Sequence, residues 1–233
     1  HQQRIIEPLG ELYHNQGRSQ PPTRLELWKD AVATVVHESC HLLSPPGHHL
    51  VEGRAIGDQP STAFLEEGVA ELYTHNRLNQ LIRAAGLERA APGLCRVRAQ
   101  VAYPEYLPAV RLLLQWVGKR IGLGYPKVLQ QLVEQTPAGK YSHLAELILA
   151  HTGLRERIPL KSSWAAKRTL ENQLRSVFDQ VILIPPGLGG TARQGFSHRL
   201  GTQAVEGLSQ AISQLERDSR ASALDRSLLI NGR

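Results

Sequence analysis

A mainly α-helical fold follows from three observations on the 233-residue chain. Apolar residues recur at helical spacing in several separate stretches, prolines and glycines punctuate the ends of those stretches, and the first 22 residues contain no convincing strand. The length accommodates one large domain, or one of average size with an appendage.

The elements follow in order. After an N-terminal segment (1–22), Thr23 and Glu26 stand at capping-box spacing and predict a helix running to about Leu43, stopped by Ser44, Pro45, Pro46 and Gly47. Val32, Val35, Val36 and Leu43 form its core-facing stripe, with His37 and His41 on the neighbouring one. Residues 44–60 read as a loop. A second helix spans 61–86, with Ser61 or Thr62 near its cap, Leu65, Val69 and Leu72 on its apolar face and Gly86 at its stop. Further helices are expected over 105–122, 126–135 and 142–153, completing a compact unit over 23–158. Residues 159–233 read as a C-terminal helical extension, with helices over 164–180 and 203–217 around a glycine-rich surface loop, GLGGTARQG.

Composition narrows the function classes. The net charge of +6 comes from scattered Lys and Arg with no basic run interleaved with aromatics, so no nucleic-acid partner is expected. No run of roughly 18 apolar residues is present, so no membrane span is expected. Cys40 and Cys95 are too few for a disulfide framework, though a single bridge stays open. The chain begins at His1 and lacks methionine, which reads as a segment of a longer or processed protein.

The chemistry concentrates in 36-VHESCHLLSPPGHH-49. His37-Glu38-Ser39-Cys40-His41 is an HExxH pattern on an expected helix, where two imidazoles four residues apart share a face and can converge on one ion. Glu38 lies about 100° round the helix from His37, placed to reach a metal-bound water without ligating the metal. Cys40, flanked by the apolar stripe, reads as a small buried hydrophobe. A catalytic zinc takes three protein ligands and leaves a position for water. His48 and His49 are physically possible third ligands, but the Pro45–Pro46 turn gives them no recognised spacing. Glu67 is the better candidate: in 64-FLEEGVAELY-73 it lies one turn from Glu71, on a helix able to pack antiparallel to the first. Glu66, pointing about 100° away from Glu67, is expected to be a solvated neighbour.

The HExxH pattern together with EGxAE resembles the gluzincin metallopeptidases, most closely the peptidase-MA-like group, over roughly residues 24–158. The resemblance implies a zincin-like helical metallopeptidase core, with His37, His41 and Glu67 as ligands of Zn2+, Glu38 as general base and Glu71 as the carboxylate that orients a ligand imidazole. It also implies an oxyanion-stabilising tyrosine at Tyr103, with Tyr106 one turn away as the alternative. One departure stands out: zincins usually carry a β-sheet before the HExxH helix, and no convincing strand precedes it here; either the sheet belongs to an upstream segment, or this is a reduced, mostly helical version, which fits a narrow protein or peptide substrate. HESCH is also similar to the SprT-type proteases, whose third ligand is a histidine well downstream; none stands at that spacing in 50–60. The competing functions are a toxin- or effector-type protease domain from a larger chain, and a non-catalytic zinc-binding interaction module.

Overall fold

The computed structural model describes residues 2–43, 59–183 and 189–231. These residues are mainly helical, and no strand occurs among them. A π-helical turn over Gln2–Ile6 leads into α1 (Glu7–His14), followed by α2 (Pro22–His41) and α3 (Pro60–Ala84). Next come the short α4 (Leu87–Ala90), then α5 (Leu107–Arg120), α6 (Tyr125–Val133), α7 (Gly139–His151) and the short α8 (Leu154–Arg157). The chain closes with α9 (Leu160–Phe178), a 3-10 turn over Asp179–Leu183, and the long α10 (Gly190–Asn231).

Helix α2 starts two residues earlier than the capping box predicts. Pro21 occupies the N-cap position without a side-chain cap bond, and Pro22 opens the helix with its φ already preset. Helix α3 likewise opens on Pro60, and the amide of Ser61 is satisfied from across the fold by Asp179 Oδ1 at 3.2 Å. Gly86 and Gly153, just beyond α3 and α7, take left-handed φ values of 73° and 67°, which glycine adopts without a Cβ penalty. The expected loop GLGGTARQG is corrected in its second half, since α10 begins at Gly190 and runs through Gly195.

Two apolar clusters hold the helices. The larger brings Phe64, Leu65 and Leu72 of α3 together with Leu113 and Leu114 of α5, Leu129 and Leu132 of α6, and Leu144 and Ile148 of α7. Leu170 and Leu174 of α9 and Leu200 and Leu208 of α10 belong to it as well, so the residues after 158 contribute to the same core as α3. Each fully buried leucine or phenylalanine stabilises the fold by ~1.5–3 kcal/mol relative to exposure. The smaller cluster joins Leu12, Leu25, Trp28 and Val32 to Leu78 and Ile82 at the far end of α3.

The apolar stripe expected on α2 is corrected. Val32 is buried, but Val35 is 41% and Leu43 49% exposed, while Leu25, Trp28, Ala31, Lys29 and His37 face inward. Lys29 can occupy a core position because its ammonium donates to Asn79 Oδ1 at 2.8 Å and to the carbonyls of Val97 at 2.7 Å and Cys95 at 3.3 Å. Along α2 the contacts run Lys29 to Asn79, His37 to Glu71 and His41 to Glu66, so α2 and α3 are antiparallel.

Candidate metal centre

Antiparallel packing of α2 on α3 brings the two imidazoles of one helix against three carboxylates of the other. His37 Nε2 lies 3.0 Å and His41 Nε2 3.8 Å from the same oxygen, Glu67 Oε2. The imidazoles are edge-on, centroids 5.1 Å apart at 75°. One nitrogen of His37, one of His41 and one oxygen of Glu67 all lie within 4.8 Å of one another, a spacing a single metal ion could bridge.

The opposite nitrogens are committed elsewhere. His37 Nδ1 is 3.0 Å from Glu71 Oε2, and His41 Nδ1 is 2.7 Å from Glu66 Oε1. A carboxylate on Nδ1 holds its proton there and fixes the ring, which is the outer arrangement that metal-ligating histidines use. Glu71 is held in turn by His75 Nε2 at 3.0 Å and by the Ala102 amide at 2.6 Å, both on Oε1.

Glu66 is the correction at this site. The sequence pattern makes it a solvated neighbour, yet it is only 4% exposed. Its side chain does diverge from that of Glu67, but the arc it follows faces His41 and α7 rather than water, and Lys140 Nζ of α7 lies 2.8 Å from its Oε2. That contact is an ion pair rather than an aligned hydrogen bond. The antiparallel register carries a signal for Glu66, since pairing His37 with Glu71 places His41 opposite residues 66 and 67. Nothing in the sequence marks Lys140, which comes from a helix 74 positions further on.

Burial sets the baseline of each charge, and partners reverse it. Burial pulls the His37 imidazole down, but its hydrogen bonds to Glu67 and Glu71 outweigh this and hold it at about 9 in the metal-free protein. Burial pushes Glu71 up, and the bonds from His37, His75 and the Ala102 amide bring it down to about 2. Glu66 is also pushed up by burial and ends below the usual carboxylate range through His41 and Lys140.

A cleft of about 520 Å³ opens beside His37 and Glu71, with Glu38, His75 and Tyr103 also in its lining, while His41 and Glu67 lie outside that lining. Glu38 is exposed to it. The Tyr103 ring stacks on His37 at 5.7 Å and 28°, and Tyr106 lies one layer behind, 5.4 Å from Tyr103 and 4.6 Å from Phe64. Burial and then the charge of Glu67 push the Tyr103 hydroxyl up to about 12. Cys40 is 4% exposed with its thiol pushed up by burial to about 11, and both cysteines are free thiols. His48 and His49 lie outside the described residues. No protein-family model, no curated protein and no solved structure matches the chain.

Proposed function

We propose that the chain is a zinc-dependent metallopeptidase that hydrolyses peptide bonds in a narrow protein substrate. The observation that carries this reading is the convergence of His37, His41 and Glu67 while Glu71 and Glu66 occupy the far nitrogens of both imidazoles. The donor set fits zinc: two nitrogens and one carboxylate oxygen leave a fourth tetrahedral position, as catalytic zinc sites do. When bound, zinc supplies a Lewis acid and lowers the pKa of water to about 7.

The remaining steps belong to the chain. Glu38, exposed in the cleft beside His37, takes the proton of the attacking water and returns it to the departing amine. Tyr103, whose hydroxyl stays protonated at neutral pH, donates to the oxyanion as charge develops on the scissile carbonyl. Tyr106 packs behind it against Phe64, which favours Tyr103 as the donor. No strand edges the cleft among the described residues, so an extended peptide lacks the usual backbone template, in keeping with a narrow substrate.

Glu38→Gln keeps the shape of the site and removes the base. The variant should hold zinc at wild-type stoichiometry and lose, by on the order of 100-fold or more, the new protein N-termini that the wild type generates in a whole-proteome digest. Wild-type turnover in that variant would remove Glu38 from the mechanism.

A further inference from the structure

The carboxylates behind the two imidazoles are balanced differently. Glu71 is held by a histidine and a backbone amide, whereas Glu66 faces a lysine ammonium inside the fold. The Lys140 side chain is 1% and that of Glu66 6% exposed, so both charges are out of water. Lys140 Nζ is anchored a second time, donating to the Gln135 carbonyl at 2.8 Å, which ties the ammonium to the loop before α7. A charge buried this deeply is costly unless paired, and a long side chain with two fixed contacts has little freedom to wander.

We infer that Lys140 is a positioning residue for the metal ligand His41, acting through Glu66. The ammonium fixes the Glu66 carboxylate so that Oε1 stays on His41 Nδ1, and this aims His41 Nε2 at Glu67. Helix α7 thereby helps to shape a site whose ligands all come from α2 and α3. The inference rests on the metal-site reading above and adds a residue to it that lies 99 positions from His41.

A double-mutant cycle on the full chain separates this role from a general contribution to folding. Zinc affinity is measured by competition with a chromogenic chelator for wild type, Lys140→Met, Glu66→Gln and the double variant, with circular dichroism reporting helix content. Lys140→Met strands a buried carboxylate and should weaken zinc binding by on the order of 10–100-fold. In Glu66→Gln the side-chain amide still offers a carbonyl oxygen to His41 and needs no counter-charge, so in that background the lysine change should cost little. The double variant should therefore recover to the affinity of Glu66→Gln alone. Equal losses in both backgrounds would overturn the inference, because Lys140 would then act through Gln135 or the fold at large. So would wild-type affinity in a folded Lys140→Met. If Lys140→Met does not fold, a folded double variant with the affinity of Glu66→Gln supports the inference, and a double variant that also fails to fold overturns it. A wild-type chain that binds no zinc removes the metal reading itself, a result distinct from all of these.

Discussion

His37 has a carboxylate on each ring nitrogen, and these bonds hold its proton against burial in the metal-free protein. Its metal-free value of about 9 lies above the ordinary 6.5, so the stability it contributes is fully present below about pH 6.5 and is lost as pH rises through about 9. Glu71, held down at about 2, contributes stability that is present above its ordinary value of 4.5 and is lost as pH falls towards 2. These two groups together predict that the chelator-treated protein is most stable between about pH 4.5 and 6.5. Its melting temperature should fall between pH 7 and 10, and one that stays level across that range would contradict the pairing. Zinc requires a neutral imidazole, so its binding should release a proton and tighten as pH rises. At this scale the sequence marks His37, His41, Glu67 and Glu71 because their spacing on single helices encodes their shared faces. Glu66 escapes it because its environment is set by the register of α2 on α3 and by a third helix.

Helices α5 and α10 meet at a close crossing. A Cβ added at Gly201 would stand 2.8 Å from Ala109 Cα and 3.1 Å from Ala109 O, both backbone atoms. Beside it, the Ala109 amide in the first turn of α5 donates to Ser197 Oγ of α10 at 3.1 Å, so α10 supplies a cap that α5 lacks locally. Gly201→Ala should force the helices apart and destabilise the protein by about 1–3 kcal/mol, read from urea unfolding. A variant within about 0.5 kcal/mol of wild type would mean the crossing is looser than it stands. The helices themselves are legible from their apolar spacing and glycine stops, as at Gly86, whereas the starts at Pro22 and Pro60 stand ahead of Thr23 and of Ser61 or Thr62, where the sequence places the caps. Their caps are not, because Ser61 and Ala109 are satisfied by Asp179 and Ser197, residues 118 and 88 positions away. Helix α10 looks shorter in the sequence than it is because Gly190 and Gly195 suggest a loop, and a helix can carry such glycines when tertiary packing overrides propensity.

Across the whole molecule, one cluster of apolar side chains runs from α3 through α5, α6 and α7 to α9 and α10. The site lies at the junction of this cluster with the smaller one, on the two helices that connect them. Among the described residues a helical frame brings three candidate donor atoms together without a sheet, since α2 and α3 supply all of them and Lys140 of α7 pairs with Glu66 behind His41. The hydrophobic pattern reveals that frame in outline, but the exposed Val35 and the buried Lys29 show where it misleads: polar groups with partners take core positions that apolar residues leave. The most direct test of the account is zinc stoichiometry by native mass spectrometry on purified wild type beside Glu67→Ala and His48→Ala. One zinc per chain is predicted for wild type and for His48→Ala, and none for Glu67→Ala. Zinc retained without Glu67 but lost without His48 would contradict the assignment of the third ligand.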